Sequence, residues 1–452
     1  KATSHTRITN EDYSILDLPT MPLQIAIIGA GPAGCALARL LHVKNPSILT
    51  TIFESESALD FRSQGGTLDL HVPSGQACLR AAGLWVEFQK HARYDGEAMQ
   101  IADKNYLCYI SLAGSTKPGS AASTGRPEID RPVLREMLYR SLPEGCVRWR
   151  KKLTHVQRSD AGELSLHFTD GSAAHGYDLI VGADGAFSKT RSLVSDVQPF
   201  YSGIAGHAMA IPDAATRQPA LYDAVKRGSL FSYSDGRGIF AQYMGDGSLS
   251  IGTWSALPAE WQTISGYDVH DPRAVKAACR EQYADWSPTL LAFTQEADDA
   301  SIYPRDLFML PIGHSWTHVP GVTLIGDAAH VMTPFAGEGV NLAFSDCIDL
   351  SEAILSAAAQ VSPDTDTTSQ ATAGSPLDVS VGAFERVMFA RATQFQQLTF
   401  DMMTAMFFTP GAPRRGIEKY ILRAAEGEMG VILTWLLTPI VYAWFFVFRL
   451  IW

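Results

Sequence analysis

The chain has 452 residues, enough for two or three packed regions with substantial cores, and 36 Lys and Arg against 47 Asp and Glu leave a formal net charge of −11. An acidic chain with no long basic run is not built to bind nucleic acid. Six cysteines, at 35, 78, 108, 146, 279 and 347, are scattered without a C-x-x-C pair, which excludes a cysteine metal cage and fits reduced thiols in an intracellular protein.

Residues 1–20 are polar and lack an apolar core, so they read as an arm or tag and not as a signal peptide. Residues 25–28 are β-branched or small and apolar, as a buried parallel strand requires. The turn that follows, Gly29-Ala-Gly31-Pro32-Ala33-Gly34, is a G-x-G-x-x-G fingerprint. Gly29 permits the tight turn, Gly31 lets backbone approach a pyrophosphate, and Gly34 lets the next helix, over 35–42, pack on the sheet. That helix points its N-terminal N–H groups at the phosphates. A second strand runs over 50–54 and ends on Glu54, at the distance past Gly34 where an acid hydrogen-bonds a ribose. The alternating stretch 163–169 and its Asp170-Gly171 turn make 146–182 a hairpin-rich addition. Another buried strand ends in Gly182-Ala-Asp184-Gly185, with Ser188 as the cap of the next helical turn and Arg191 beyond it.

Over 196–300 the texture changes. Short strands at 230–234, 238–243 and 248–254, separated by Asp-Gly turns, predict one antiparallel sheet. One face of such a sheet can wall a substrate cavity. Next comes Val322-Thr-Leu-Ile-Gly326-Asp327-Ala-Ala-His330, followed by Pro334-Phe335-Ala-Gly337-Glu338-Gly339-Val340-Asn341. The first fingerprint points to a dinucleotide; the second segment narrows it to a flavin and makes an oxidoreductase the leading reading. Residues 360–378 are rich in Ser, Thr, Asp and Gln and read as a loop. Residues 384–408 read as a helix whose aromatics pack the core. The stretch 431–448 holds 18 residues and no charge. As a helix it is roughly 27 Å long, near the limit for spanning hydrocarbon. Pro439 argues against a straight span, so a spanning helix, an interfacial one and one packed on the body all stay open.

Several of these segments carry a family resemblance. The fingerprint, Gly-Ala-Asp-Gly and the 324–346 run occur in that order, with Gly65-Gly-Thr-Leu-Asp69-Leu-His71, Ser74-Gly-Gln76, Pro127-Glu-Ile-Asp-Arg131 and Leu134-Arg135 between them. Over about 21–350 the chain resembles the FAD-dependent aromatic hydroxylases (group A flavoprotein monooxygenases), and within them the tetracycline-inactivating branch. The resemblance implies an α/β fold, with a Rossmann-like FAD-binding domain, an inserted antiparallel-sheet substrate domain and C-terminal helices. The boundaries would be an arm over 1–20, the FAD domain in two parts over 21–195 and 301–358, the substrate sheet over 196–300, a loop over 359–379, helices over 380–429 and the apolar helix over 430–452.

It also implies roles. Gly29, Gly31, Pro32, Ala33 and Gly34 would hold the ADP half and Glu54 its ribose; Arg131, Arg135 and Asp184 would contact FAD, and Asp69 would lie near the flavin. Gly326 and Asp327 would bind the ribityl or pyrophosphate region, and Pro334, Gly337, Gly339, Val340 and Asn341 would run along the isoalloxazine. His330 is read as packing beside that loop and not as a base. Ser229 and Ser250 stand where the tetracycline branch has an arginine and a histidine, so tetracycline is not carried over as substrate. His207, Tyr233, Phe240, Gln242, Ser250, Trp254 and Phe335 are the pocket candidates. Glu338, where an uncharged residue is common, would tune flavin mobility or face solvent.

The activity so implied uses non-covalent FAD, NADPH or NADH docking transiently, and O2. A flavin C4a-hydroperoxide would hydroxylate a bulky apolar substrate, aromatic or a polycyclic secondary metabolite. Epoxidation or Baeyer–Villiger insertion by the same cofactor, and a non-catalytic membrane-associated redox sensor, are the alternatives. No metal site is predicted.

Overall fold

A computed structural model describes residues 22–59, 65–114, 125–160, 162–360 and 374–452. The expected arm over 1–20 and most of the expected loop over 359–379 lie outside the described residues.

In chain order, strand β1 (Gln24–Ile28) leads through Gly29–Gly31 into helix α1 (Pro32–Lys44) and strand β2 (Leu49–Phe53). Strands β3 (Thr67–Asp69) and β4 (Glu128–Asp130) pair as an antiparallel ribbon, and β4 runs straight into helix α2 (Arg131–Arg140). Then come β5 (Leu179–Gly182), β6 (Phe200–Ile211), β7 (Ser229–Ser234), β8 (Arg237–Tyr243), β9 (Leu249–Ala256), β10 (Tyr303–Met309) and β11 (Val322–Leu324). Four long helices follow: α3 (Gly339–Ala358), α4 (Pro376–Met403), α5 (Ile417–Met429) and α6 (Val431–Ile451).

The first sheet is parallel, in the order β11, β5, β1, β2 and then the short strand Val147–Arg148. Its strands are short runs of Ile, Val, Leu and Thr, because both faces are covered. Leu37, Leu41, Phe344 and Leu350 of α1 and α3 pack in the core on one side. The expected hairpin addition, an antiparallel sheet of Leu153–Arg158, Leu164–Phe168 and Ala173–His175, places Leu166 and Phe168 in the cluster with Phe53 and Ile180. Parallel strands align their C-terminal ends. Ile28, Phe53, Gly182 and Leu324 therefore end along one edge of the sheet, where open α/β folds bind their ligands.

The second sheet has seven strands, not the set expected from 196–300 alone. β6 to β9 form its antiparallel centre and β10 closes one side. On the other, β7 pairs in parallel with Met99–Ala102, which pairs with Cys108–Leu112. The sheet thus borrows two strands from the long excursion before β4. One face is sealed by helices Pro272–Gln282 and Pro288–Gln295, through Val275, Cys279, Leu290 and Phe293 against Ile239, Ala241 and Ile251. The other face looks across a cavity toward the first sheet.

Candidate active site

The cavity encloses about 2230 Å3 and runs from the strand ends of the first sheet to the open face of the second. A pocket for one small ligand measures roughly 300–1,000 Å3, so this one has room for a dinucleotide and a second molecule.

At the dinucleotide end each fingerprint glycine has its own steric reason. A Cβ on Gly29 (φ +106°) would stand 2.4 Å from the Ala183 carbonyl oxygen, and one on Gly34 2.1 Å from that of Gly29. Both therefore serve packing between strand and helix. A Cβ on Gly31 would meet nothing within 4 Å, because Gly31 opens on the cavity together with Pro32 and Ala33. Gly31 also begins α1, so free helical N–H groups face the same space. Glu54 lies beside them. It accepts from the Ala30 N–H at 2.7 Å and the Glu56 N–H at 2.9 Å, which fixes its carboxylate at the strand end. Arg135 reaches the site from α2, but its guanidinium is committed to the Ala30 carbonyl oxygen (3.0 Å) and Glu56 (2.8 Å). It braces the loop and also borders the cavity. Arg131 lines the cavity; burial pulls its pKa down while the nearby Asp327 carboxylate opposes that. Asp184 spends its oxygens on Ser188, Lys189 and Thr190, so it shapes the turn it opens, and Ser188 accepts from the Arg191 N–H as expected of a cap.

The second segment builds the middle of the cavity. Gly326 (φ +59°) turns the chain out of β11, and Asp327 is exposed in an otherwise buried stretch, on the cavity wall. Pro334, Gly337, Gly339 and Val340 line the wall at the start of α3. Asn341 does not. It is buried, accepts from the N–H of His71 (2.9 Å) and the Ser74 hydroxyl (3.1 Å), and donates to the Asp69 carbonyl oxygen (2.9 Å). It clamps the segment after β3 onto α3. His330 also faces inward, with Nε2 2.6 Å from the buried Asp346, in keeping with a structural role.

Two acidic residues stand here, and the second of them, Glu128, had no part in the sequence reading. Glu338 is largely shielded and lies on the cavity wall against His71 (3.5 Å), and His71 in turn contacts Asp69 (2.9 Å), so its carboxylate faces the cavity and this imidazole rather than the outer surface. Glu128 lies across the β3–β4 ribbon from Asp69. Burial pushes its carboxyl up to about 8, against the pull of Arg93. The motif reading had named the segments holding His71 and Glu128 without giving either side chain a part.

On the open face of the second sheet, Gln242 is paired with Ser250 and Phe240 with Gly252 across β8 and β9. Cross-strand partners share a face, so these and Trp254 line the cavity, together with Ser229 and Phe231 of β7. Phe335 faces Phe240 edge-on at 6.3 Å from the cofactor side. Gln242 donates to the Ser229 hydroxyl at 3.3 Å. Two pocket candidates lie elsewhere. His207 is paired with Thr253, one residue out of phase with this face, and packs behind the sheet on Trp261 (5.4 Å) and Tyr267 (6.2 Å). Burial pulls its pKa down to about 4. Tyr233 lies one step past the cavity, sealed under Phe407 at 5.4 Å. The remaining wall comes from α4 and α5. Phe395, Leu398 and Met402 line it, although their helical spacing reads in sequence as ordinary core.

A scan against family models matches residues 22–368 to the FAD binding domain family. The chain belongs to that family. Monooxygenase asqM of Emericella nidulans is 28% identical over 439 residues, covering 85% of this chain and 95% of its own. The Klebsiella pneumoniae HpxO structure, complexed with FAD and uric acid, superposes with a TM-score of 0.69 at 19% identity, over 93% of this chain and 97% of that one. Tetracycline destructase Tet(51) gives 0.63 at 17%, over 91% and 99%. The protein is an FAD-dependent monooxygenase with the fold of the group A flavoproteins, and its cofactor is FAD.

The residues present fit FAD: an open glycine cradle at a helix N-terminus, a fixed acid at the end of β2, and Asp327 beside Arg131. Among the lining residues there is no cysteine, and the histidine, His71, is held by Asp69 and Glu338. FAD should therefore be held without a covalent bond, and acid precipitation should leave the yellow colour in solution and a colourless pellet. Asp327→Ala removes a charged acceptor worth roughly 1.5–3 kcal/mol, which should weaken FAD binding about ten- to a hundredfold in a fluorescence titration. Unchanged affinity would remove Asp327 from the cofactor site.

Proposed function

We propose that this enzyme hydroxylates a flat, apolar, aromatic or polycyclic small molecule, consuming NADPH or NADH and O2 and releasing water. The observation that carries this reading is the composition of the cavity's second end. Phe231, Phe240, Trp254 and Phe335 surround it together with the uncharged Ser229, Gln242 and Ser250, while the one charged side chain on that sheet face among the described lining residues, Arg305, stands on the edge strand β10 near Arg131. Aromatic walls favour flat apolar ligands, and a few amide and hydroxyl groups fix orientation without requiring a charged substrate. The likeness to HpxO, whose structure holds uric acid, is in keeping with a small ring-bearing substrate.

Bound FAD supplies the chemistry, accepting a hydride from the nicotinamide and delivering one atom of O2 to the substrate. The chain's own residues position and shield. Gly31, the start of α1, Glu54, Arg131 and Asp327 would hold the ADP and ribityl portions. Pro334, Gly337, Gly339 and Val340 would lie along the ring, where the N-terminus of α3 favours negative charge. Glu338 would oppose that charge, and its contact with His71 offsets it. Leu398 and Met402 would keep water from the reacting face.

The experiment is a screen of aromatic compounds for stimulated NAD(P)H oxidation, with mass spectrometry for a gain of one oxygen. NAD(P)H oxidation that no compound accelerates, on FAD-loaded protein, would favour the redox-sensor reading. A narrower expectation concerns Gly252, over which the Trp254 indole folds: a Cβ there would stand 2.5 Å from its Nε1. Gly252→Ala should push the indole into the cavity and raise KM at least about tenfold, the effect of a lost contact of 1.4 kcal/mol or more, while FAD content is unchanged. An unaltered KM would place the substrate elsewhere.

A further inference from the structure

Helix α6 is a large apolar element with little protein to cover it. Its mean hydropathy is 2.1 over an 18-residue window, of which 11% is buried. Of the 26 large apolar side chains exposed among the described residues, 13 lie between Val431 and Trp452. Soluble proteins do not leave a contiguous patch of that kind uncovered.

The helix is nonetheless docked. Gly430 (φ +79°) turns the chain back on itself, so α5 and α6 form an antiparallel hairpin. Its far end is closed by Arg449, which donates to the Arg414 carbonyl oxygen at 2.9 Å and pairs with Glu418 at the start of α5. Phe445 and Phe448 pack on Tyr109 at 6.5 and 5.1 Å. One stripe of α6 is held against the body and the rest of its circumference is exposed.

This geometry decides between spanning a bilayer and lying on one. A spanning α6 would drag α5 with it, and α5 carries Lys419, Arg423 and Glu426. Each charge at mid-bilayer costs about 2.5–3.5 kcal/mol. Pro439, inside α6, has no N–H to give the Trp435 carbonyl. In hydrocarbon that oxygen would need a partner from another part of the protein, whereas at headgroup depth water reaches it. The exposed arc also carries Trp435, Tyr442, Trp444 and Trp452, whose rings are apolar with one polar atom and suit the lipid–water boundary. Arg415 and Lys419, exposed beside the Arg449 end, can meet phosphate headgroups. A protein partner would be matched by a polar rim around an apolar centre; this surface is apolar along the helix and basic at one end.

We infer that α6 is an in-plane anchor that seats the enzyme on one leaflet of a lipid bilayer. Tyr420 and Ala424 of α5 line the cavity while α6 packs on α5, so the anchor brings the cavity within one helix of the membrane surface. If the proposed apolar substrate is right, it is drawn from the lipid.

The test uses full-length, FAD-loaded protein and vesicles of phosphatidylcholine with a minor share of phosphatidylglycerol, and requires no turnover. The protein should float with the vesicles and stay bound in high salt. Brominated lipids should quench Trp435 and Trp444 at the same shallow depth. Trp435→Lys with Ile440→Lys, both on the exposed arc, should lower the bound fraction roughly tenfold or more while FAD stays bound. A deep Trp444 with a shallow Trp435 would mean a spanning helix and overturn the proposal. So would protein that stays monomeric and vesicle-free, or a detergent-resistant dimer that the same substitutions separate.

Discussion

Replacing Asp346 by alanine should destabilise the protein by about 3–5 kcal/mol, the range for removing one partner of a buried ion pair. Asp346 is fully buried in α3. Its Oδ2 accepts from the Gly326 N–H (3.0 Å) and meets His330 (2.6 Å), and its Oδ1 accepts from Arg391 (3.0 Å). One carboxylate thus holds the turn after β11, the short helix after it and α4. Alanine would leave the buried Gly326 N–H and His330 without this partner and Arg391 with Asp349 alone. Because Gly326 aims Asp327 at the cavity, FAD affinity should fall as well, although Asp346 does not line the cavity. Asp346→Asn keeps an acceptor oxygen and loses the charge, so its denaturation midpoint should lie between the two. If alanine and asparagine both unfold at the wild-type denaturant concentration, the cluster does not carry the stability assigned to it.

Much of the FAD half was legible because its constraints are local. Gly29, Gly31 and Gly34 act within one turn of each other, and the strand before them and the helix after them carry their own patterns. The same holds for Gly326–Asp327 and for the start of α3 at Gly339. The cavity's far end was less legible. His207 and Gln242 both sit on alternating strands, and each strand alone gives a period of two but no phase. The phase comes from cross-strand register, which pairs Gln242 with Ser250 and His207 with Thr253 on opposite faces. The strand Met99–Ala102 was missed for a related reason: its partner β7 lies more than a hundred residues away, and nothing local announces a parallel pairing. Phe395, with the other aromatics of 384–408, reads as core, since a helical stripe facing a cavity and one facing a neighbour look the same in sequence. Asn341 shows the reverse case. Its motif was recognised, but the side chain turns from the cavity to clamp the segment after β3.

Stability should fall as the solution is made alkaline, through a second cluster. His318 lies between two carboxylates on α4, with Nδ1 2.7 Å from Glu385 and Nε2 2.8 Å from Asp378. Glu385, with Asp378 assisting, raises the imidazole from 6.5 to about 9. A group whose pKa is higher folded than unfolded binds its proton more tightly in the native state. Its contribution is therefore complete below pH 6.5 and is lost as pH rises through about 9. The shift corresponds to on the order of 3 kcal/mol at most, because the imidazole is partly exposed to solvent. Glu385 is itself buried, and also accepts from Trp316 (3.1 Å) and from Thr323 on β11 (2.8 Å), so the cluster ties the first sheet to α4. The same helix carries Phe395 and Leu398 into the cavity wall. Denaturant midpoints measured below pH 6.5 and above pH 9 should differ markedly for wild type and much less for His318→Gln, which keeps a donor but cannot take a proton. At the acid end the variant should be the less stable of the two, and at the alkaline end the two should converge. Parallel profiles across that window would mean that His318 is neutral between its two acids.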